Sequence, residues 1–557
     1  MPITESFPLL RLHHSTGTTA GNFQAPPTSR YLTAVVTIHC DTYQSPVRHL
    51  SGISNRLALV IALVIALAGC GGSPSSKSEY GGTPNTQVTL TSTVTATQHP
   101  LVAKYSITLP VVGSVYVEFG RDTNYGRRTN AVTAQAGATA EILVAGMRPS
   151  TEYHMHAVIT TASGAQFDSD HTFTTGVPPA ALAQLTVKQT SYTPSPGVEL
   201  LDLVNANQQL LAAAVDLDGT LVWYYYFDDQ LGVPFPIRLM PNGHFLINIG
   251  LKVPTFSVLR EIDLAGNTVR ELTIDSLNAL LAARGFSGKL DAMHHEVLPL
   301  ENGHVLVLGM QSRDFSNLAG QTGVTTVTGD VIVDLDASLS PVWTWSTFDY
   351  LDVNRHPSDV HDWTHSNALV YSPADCSLLL SIRNQNWIVK IDYGNGSGTG
   401  RVLWRLGQGG DFVLTGAPDT DWFFGQHFPA YVSDPSVQPL QVGVFDNRAT
   451  NNPGTLCQTD TGNCYSRPVI FRIDEARKTA EISFAQRTAY SFFGGNIGIL
   501  PNGDVEYDLA ASNGFSPQAT IQEVRPSDQA LVWEMDILGQ FAYRAYRVPS
   551  LYPGVQW

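Results

Sequence analysis

Short runs of alternating apolar and polar residues predict β-strands along most of the chain. Between Gln87 and Thr175 such runs include residues 114–119 and 151–159, and residues that favour turns separate them. Alternation with a period of two gives a strand one buried and one exposed face. The spacing of runs and turns is typical of two small sheets packed face to face. It therefore predicts a β-sandwich over residues 87–177.

A local motif indicates which kind of β-sandwich this domain forms. The segment Arg148-Pro-Ser-Thr-Glu-Tyr153 lies directly before a predicted strand. It resembles the tyrosine corner, in which a tyrosine hydroxyl bonds to the backbone a few residues upstream. The N-terminal domain is accordingly predicted to be fibronectin type III-like, and residues 178–183 are predicted to lead out of it.

From Pro194 onward the pattern changes to a repeated unit. Each unit has a turn such as Pro241-Asn-Gly243, a strand ending in Ile-Asp or a similar pair, and a strand ending at tryptophan. About six units at roughly 60-residue spacing predict a six-bladed β-propeller over residues 190–557. Recurrence at one place in each blade favours packing between blades for four tryptophans, which are Trp223, Trp343, Trp404 and Trp533. The main helical candidate is residues 277–284.

The first 70 residues are predicted to be an extension followed by a lipoprotein signal peptide. An apolar run from Leu57 to Ala68 follows arginines and suits the apolar region of a secretory signal. It ends in Leu67-Ala-Gly-Cys70, which resembles a bacterial lipobox, so Cys70 is the predicted lipidation site. The alternative is a buried core segment with an incidental cysteine. Residues 71–86 are rich in Ser and Gly and are predicted to tether an exported, membrane-anchored periplasmic protein.

Composition is typical of an all-β chain, and the net charge argues against nucleic acid as a partner. Charged residues make up 14% of the chain and aromatics 10%, and there are 47 glycines and 33 prolines. The net charge of −16, without a long basic run, argues against nucleic acid binding. Among the five cysteines, Cys457 and Cys464 bracket a polar loop and could form a disulfide in an oxidising compartment. Cys376 remains the alternative partner.

Unusual polar residues occur where several predicted inner strands begin. The innermost strand of each blade lines the central channel of a propeller, so such residues from different blades lie close together near the axis. Arg383 at the end of a neighbouring strand joins them. The predicted cluster contains His294, His295, His365, Asn367, His427 and Asn496.

The residue types in this cluster favour an anionic guest. Three histidines could hold zinc with one open position. A metal would, however, be repelled by the fixed charge of Arg383, whose planar fork instead matches a sulfate or phosphate group. An imidazole could then attack as a nucleophile while its neighbours stabilise the developing charge. Neither a metal nor a cofactor is predicted.

Several longer segments carry a resemblance to a known family. They are Asp362-Trp-Thr-His365-Ser-Asn367, Ser381-Ile-Arg383, Val402-Leu-Trp404-Arg-Leu-Gly407, Gln426-His427 and Val444-Phe-Asp-Asn447. Together they resemble the bacterial aryl-sulfate sulfotransferases, which are exported six-bladed propellers with an N-terminal β-sandwich. The resemblance covers almost all of the chain from Gln87 to Trp557.

The resemblance implies a ping-pong transfer between phenolic sulfates and phenols, without a nucleotide sulfate donor. By position, His427 resembles the nucleophile that becomes sulfohistidine. His295, His365 and Arg383 resemble the residues that bind the sulfuryl oxygens. Asn367 and Asn496 are predicted to bind substrate, and His295 is preferred to His294 because it directly precedes an acidic residue, as the family's histidine does.

The family also implies the loop disulfide and a homodimer. Phe428-Pro429 departs from its pattern, because the family tends to have a small acidic turn after the nucleophile. The lipobox departs from its freely soluble members. Two other functions remain open at this stage: a non-catalytic surface lipoprotein that binds an anionic ligand, and a metal-dependent ester hydrolase.

Overall fold

The computed structural model describes residues 86–87, 90–178, 184–189, 192–205, 210–226, 233–250, 256–448, 464–514 and 516–557. These residues are mostly β-strand, which confirms the all-β prediction. The predicted signal peptide, Cys70, nearly all of the tether and Cys457 lie outside the described residues, so those predictions stay predictions. In the described part of the chain, no helix is long and apolar enough to cross a membrane.

The N-terminal region consists of two sheets built from ten strands. One sheet has the order β1-β9-β8-β4-β5, with β10 on β8 and β6 on β4, and the other has the order β2-β3-β7. Tyr105 of one sheet and Phe119 of the other belong to a single buried cluster. The strands are β1 (Thr86–Gln87), β2 (Ser92–Ala96), β3 (Ala103–Thr108), β4 (Gly113–Gly120), β5 (Arg127–Arg128), β6 (Val132–Ala134), β7 (Thr139–Val144), β8 (Glu152–Thr161), β9 (Gly164–Phe167) and β10 (His171–Thr174).

The predicted tyrosine corner is present. The backbone N–H of Arg148 donates a hydrogen bond of 3.0 Å to the hydroxyl of Tyr153. The buried cluster of the two sheets also includes Val198 and Trp223 from the next part of the chain. The N-terminal sheets therefore share a core with the rest of the protein. Their assignment to the fibronectin type III-like class stays a prediction.

The remaining described strands form six sheets of four or five strands, which are antiparallel except that β27 pairs with β31 in parallel. Their orders are β14-β13-β12-β36, β15 to β18, β19 to β22, β23 to β26, β27-β31-β30-β29-β28 and β11-β35-β34-β33-β32. The strands are β11 (Gln184–Gln189), β12 (Val198–Asn205), β13 (Leu210–Asp216), β14 (Leu221–Tyr226), β15 (Val233–Leu239), β16 (Phe245–Gly250), β17 (Val258–Ile262), β18 (Thr268–Thr273), β19 (Ala292–Pro299), β20 (Val305–Ser316), β21 (Val324–Leu335), β22 (Pro341–Ser346), β23 (Ser366–Ser372), β24 (Ser377–Ile382), β25 (Trp387–Asp392), β26 (Val402–Leu406), β27 (Val413–Thr415), β28 (His427–Tyr431), β29 (Leu440–Asp446), β30 (Arg467–Asp474), β31 (Thr479–Ala485), β32 (Ile497–Ile499), β33 (Val505–Leu509), β34 (Gln518–Arg525), β35 (Ala530–Leu538) and β36 (Gln540–Val548).

The chain ends of this region pair with strands far away in sequence. The C-terminal strand β36 pairs with β12, and β11 pairs with β35. One edge strand of each sheet also contacts the edge strand of the next sheet, from β36 to β15, β19, β23, β28 and β32 in turn. We call these six strands the axial strands. They bring residues from six sheets to one place.

The α-helices are short. The predicted helix at residues 277–284 is α1 (Ile274–Ala283), whose first turn is capped by the side chain of Thr273, and its Ile274, Leu277 and Leu281 are buried. The second, α2 (Thr347–Tyr350), is a single turn after β22.

Tryptophans connect neighbouring sheets, as predicted for Trp223, Trp404 and Trp533. The predicted Trp343, in the sheet of β19 to β22, also packs against the next sheet, with its ring edge-on to Tyr393, while Trp345 of the same sheet makes the hydrogen-bonded connection. Each connecting indole N–H donates to the following sheet or to the turn beside it, with Trp223 bonding to Leu264, Trp345 to Gly400, Trp404 to Glu475 and Trp533 to Leu217. The recurring tryptophans are therefore packing residues.

Candidate active site

Irregular backbone on the axial strands determines which side chains face the site. The pairing register shifts between Met293 and Val297 in β19, between Ser366 and Ala368 in β23, and between His427 and Ala430 in β28. A further shift lies opposite Tyr543 and Arg544 in β36. Bulges of this kind bend a strand and re-aim its side chains.

Three non-glycine residues at these bulges adopt left-handed backbone conformations. The φ angles are 52° at His295, 49° at His365 and 35° at Phe428. Such angles cost a residue with a Cβ of the order of 1 kcal/mol or more, so the surrounding structure must enforce them. Strain of this kind clusters at functional sites, and here it coincides with two predicted site histidines and the residue after the third.

The side chain of Asn447 fixes the orientation and tautomer of His427. The amide nitrogen of Asn447 donates to the backbone carbonyls of Ser491 and Gly494, at 2.8 and 3.1 Å. Its amide oxygen therefore faces Nδ1 of His427, at 2.8 Å, and can only accept. Nδ1 must carry the proton, which leaves the lone pair of a neutral imidazole on Nε2.

The surroundings of His427 keep it neutral. Burial and the positive charge of Arg383 lower its pKa well below the usual value, although the hydrogen bond that His427 donates to Asn447 opposes them. His365 and Arg544 lower the pKa further. A buried, neutral imidazole with an oriented lone pair has the form that a nucleophile requires.

His365 is held by a carboxylate. Its Nδ1 lies 2.6 Å from Oδ2 of Asp362, three residues earlier. Burial raises the pKa of Asp362, but the charge and hydrogen bond of His365 and the charge of Arg383 outweigh it and lower the pKa to about 2. The ionised carboxylate therefore orients the ring of His365.

His295 faces the other histidines, and His294 lies behind it. The ring centroid of His295 is 5.0 Å from that of His365 and 5.9 Å from that of Tyr543. Burial and the charges of His365, His294, His427 and Arg544 lower the pKa of His295 well below its usual value. The Nδ1 atoms of His294 and His295 are 2.8 Å apart, and Nε2 of His294 is 3.2 Å from Oδ1 of Asp330.

Arg383 supplies a cation that the described residues do not neutralise. One guanidinium nitrogen donates to the neutral side chain of Asn384 at 2.9 Å, and the backbone N–H donates to the carbonyl of His365 at 3.3 Å. Within the described part of the chain, Arg383 forms no ion pair. Its charge nevertheless acts on both His427 and Asp362, which places it among the site residues.

The two predicted asparagines are placed differently. Asn367 is buried in β23, and its amide nitrogen donates to the carbonyl of Gln426, the residue before His427. Both polar atoms of the Asn496 side chain bond to the backbone of Ala545, at 2.6 and 2.9 Å. These bonds connect two axial strands, so they do not support a substrate-binding role for Asn496.

Next to the histidines lies the arginine–glutamate network, formed by Arg238, Glu296 and Arg544. Glu296 is fully buried and pairs with Arg238 at 2.8 Å and with Arg544 at 2.9 Å. Arg544 also donates to the carbonyls of His295 and Asn367. Both guanidinium groups lie over the ring of Phe428, at 5.3 and 4.8 Å. Phe428 thus packs against this network.

Aromatic side chains cluster on the loop that holds Asn447. The rings of Phe492 and Phe493 are 4.8 Å apart, and that of Phe493 is 5.4 Å from Phe541. Burial raises the pKa of Tyr490 on the same loop, and the charge of Arg383 opposes this effect. Half-buried rings therefore lie on the loop that contacts Asn447, and Tyr490 is close enough to Arg383 to feel its charge.

A second concave region differs from the histidine cluster because its arginines are already paired with a carboxylate. A cavity of about 570 Å³ lies between the N-terminal sheets and strands β12 and β35. Its Arg127 and Arg148 both pair with Asp216. Among the described residues, no group of three or more His, Cys, Asp or Glu is arranged to hold a metal ion. The histidine cluster is therefore the better candidate for anion chemistry, and the metal-dependent alternative gains no support.

Sequence reasoning missed the supporting residues. Asn447 and Asp362 stood inside segments that had been singled out, but their partners depend on loop conformation. Asp330 and Arg544 lie outside the motifs singled out in the sequence. The alternation of aromatic and arginine residues from Tyr543 to Arg547 was the one signal that this last axial strand was unusual.

Comparisons with known proteins agree with this geometry. The model of the family described as Arylsulfotransferase (ASST) matches residues 184–547, more than half of the chain. None of the curated proteins matches the sequence significantly.

Solved structures give only remote likenesses. A crystal structure of an ACO/RPE65 chimera is 10% identical with a TM-score of 0.29, covering 83% of this chain and 96% of its own. A quinonprotein alcohol dehydrogenase-like protein from Bacteroides thetaiotaomicron is 10% identical with a TM-score of 0.20, covering 74% and 95%.

Proposed function

The chain belongs to the arylsulfotransferase family, and from this premise we propose that it moves a sulfuryl group from a phenolic sulfate ester to a phenol through His427. The observation that carries the proposal is the bond from Nδ1 of His427 to Asn447. It leaves the Nε2 lone pair of a neutral imidazole for attack on sulfur. Arg383 beside it supplies a cation that can pair with the sulfuryl oxygens.

The first half-reaction transfers the group to the protein. Nε2 of His427 forms a bond to sulfur while the bond between sulfur and the aryl oxygen breaks, and the leaving phenolate takes a proton from a neighbouring histidine. Arg383, together with His365 oriented by Asp362, offsets the negative charge on the oxygens. The product is sulfohistidine.

The second half-reaction reverses these steps with a different phenol. The acceptor hydroxyl attacks sulfur, gives its proton to the same histidine, and displaces Nε2 of His427. The half-buried rings of Tyr490, Phe492 and Phe493 supply apolar surface for the aryl group. Together the steps make a ping-pong mechanism that needs no nucleotide donor.

We extend the proposal to architecture and location. The six sheets with their axial strands are the blades of a six-bladed propeller around the site, preceded by the N-terminal β-sandwich. The apolar run before Cys70 supports export and lipid attachment to a membrane on the periplasmic side. A homodimer is carried over from the family resemblance.

A two-substrate assay tests the proposal. The purified protein is mixed with 4-nitrophenyl sulfate with and without phenol, and the release of nitrophenolate and the formation of phenyl sulfate are measured. We expect steady release that depends on phenol and matches the phenyl sulfate formed. Equal release without phenol would indicate a hydrolase, and no release with a panel of aryl sulfates would favour an anion-binding lipoprotein.

The matched control for this assay is His154→Ala. His154 pairs with Asp170 in the N-terminal sheets, far from the axial strands, so its loss should leave transfer unchanged. Loss of transfer in this variant would show that activity responds to general damage and not to the histidine cluster.

A further inference from the structure

We propose that His294 and Asp330 form a proton relay behind His295, which stores the proton that leaves and re-enters the site in each catalytic cycle. The inference rests on the proposed function and deepens it. Two predicted site histidines are adjacent in sequence, and only one can face the substrate. The structure shows what the other one contacts.

His294 joins His295 to a buried carboxylate. His294 is 2% exposed, and its Nδ1 lies 2.8 Å from Nδ1 of His295. Its Nε2 lies 3.2 Å from Oδ1 of Asp330. The distance between the two Nδ1 atoms requires one shared proton, because two lone pairs or two N–H groups would repel each other at this separation.

Asp330 is held as an anion in a place where it can stabilise a charged His294. Its Oδ2 accepts bonds of 2.6 Å from the Thr364 hydroxyl and from the backbone N–H of Ser366. Burial raises the pKa of Asp330, but His294 and these bonds outweigh it, so the pKa is lowered. The same bonds connect Asp330 to the segment that carries His365.

His295 itself is kept neutral by its neighbours. The groups that face it are His294, His365, His427 and Arg544, and with burial they lower its pKa well below the usual value. A neutral His295 still has two forms, since its single proton can lie on Nδ1 or on Nε2. The position of the proton shared with His294 selects between them.

The relay thus has an acid form and a base form that differ by one proton. In the acid form His294 is an imidazolium paired with Asp330; its Nδ1–H donates to His295, and His295 carries its own proton on Nε2. When Nε2–H is given to the leaving phenolate, the shared proton moves to Nδ1 of His295 and His294 becomes neutral. In the second half-reaction the acceptor phenol returns a proton to Nε2, and the shared proton moves back.

His295 therefore remains uncharged in both forms, and the positive charge appears on His294 beside Asp330. This arrangement avoids adding another cation next to Arg544 and His427. His294 and Asp330 are positioning residues in this scheme, because His295 is the group that contacts the phenolic oxygen.

Leaving-group dependence provides the test, because 4-nitrophenol is a stronger acid than phenol. The rate of sulfuryl uptake is measured for the wild type and His294→Gln with 4-nitrophenyl sulfate and with phenyl sulfate. We expect a loss of about 10²-fold or more with phenyl sulfate, whose phenolate needs a proton, and less than about 10-fold with 4-nitrophenyl sulfate. Asp330→Asn should also lose more activity with phenyl sulfate than with 4-nitrophenyl sulfate, but the difference between the two donors should be smaller.

The control is His304→Gln, which breaks a comparable pair between His304, in the turn between β19 and β20, and the buried Asp334. It should leave both rates unchanged. Asp330 also holds the neighbouring backbone in place, so Asp330→Asn could fail to fold. In that case the result for His294→Gln tests the relay by itself.

The outcomes separate the two proposals. Transfer by the wild type with equal losses for both donors in His294→Gln, or with no loss for either, would overturn the relay and leave the proposed function intact. A wild type that takes up no sulfuryl group from either donor would overturn the proposed function and the relay together.

Discussion

In the arginine–glutamate network, Arg238 and Arg544 both pair with Glu296, whereas Arg383 in the histidine cluster bonds to the neutral amide of Asn384. The two regions are neighbours on the same axial strands and use the same type of side chain. A buried ion pair fixes structure, because removing one partner leaves an uncompensated charge. A cation that keeps its charge available can bind an incoming anion. We propose that this difference separates residues that hold the six sheets together from residues that act on substrate.

The largest effect should come from the nucleophile, which lies on the substrate side of this comparison. His427→Ala removes the atom that forms the bond to sulfur, so transfer should fall by at least about 10⁴-fold. Its stability should change little compared with its activity. Steady-state transfer and urea unfolding of the same preparation check both statements. A variant that retains a tenth of the activity would exclude His427 as the nucleophile.

Removing the shared carboxylate should have the largest effect on stability. Glu296→Gln leaves Arg238 and Arg544 without an anionic partner, and it should lower the free energy of unfolding by about 3–5 kcal/mol. Denaturant titration measures the change. If Glu296→Gln unfolds like the wild type, the network does not have the structural role assigned to it.

Substitution of individual arginines sharpens the contrast. Arg383→Gln should reduce the rate of transfer by about 10²- to 10³-fold, because one donor to the developing charge is lost. Its free energy of unfolding should change by less than about 1 kcal/mol. The matched variant Arg544→Gln removes a paired arginine and should chiefly lower stability. If Arg383→Gln chiefly lowers stability and Arg544→Gln chiefly lowers the rate of transfer, the contrast between the two regions is wrong.

The smallest predicted change is a shift in pH dependence. Asn447→Asp places a carboxylate against Nδ1 of His427, which favours the imidazolium and raises the pKa of His427. Only the neutral ring attacks, and in the wild type its lowered pKa keeps it neutral well below pH 6.5. The acidic limb of the rate of sulfuryl uptake should therefore move to higher pH in Asn447→Asp.

Asn447→Leu provides the uncharged control for that shift. It removes a hydrogen bond that raises the pKa of His427, so the acidic limb should not move upward although the rate falls. Identical pH profiles for the wild type and Asn447→Asp would show that Asn447 does not govern the protonation of His427.

The sequence indicated the strands, the tryptophan packing and the grouping of the histidines well, because each depends on local pattern or on repetition. Spacing alone could not choose between His294 and His295, and the preference for His295 came from the family resemblance. That choice depends on a bulge in β19 and on a left-handed backbone angle at His295, and no periodicity encodes either. The position of the Phe428 ring depends on a bulge in the same way, since the register shift in β28 accompanies its packing against Arg238 and Arg544.

The sequence also could not indicate which residues far apart along the chain contact each other. Arg544 comes to Glu296 only because the last strand pairs with β12 and completes the first of the six sheets. Asn447 reaches His427 across a loop whose other contacts are the carbonyls of Ser491 and Gly494. Such contacts follow from how the sheets are arranged, and a single sequence without that arrangement does not specify them.

The most direct measurement is the location of the transferred group. The protein is treated with an aryl sulfate in the absence of acceptor, digested under conditions that preserve N-sulfonated histidine, and analysed by mass spectrometry. We predict an added sulfuryl group on the peptide that contains His427, and its disappearance when phenol is added before digestion. A sulfuryl group on His365 or His295, or full transfer activity without any modified peptide, would contradict the assignment of His427 as the nucleophile.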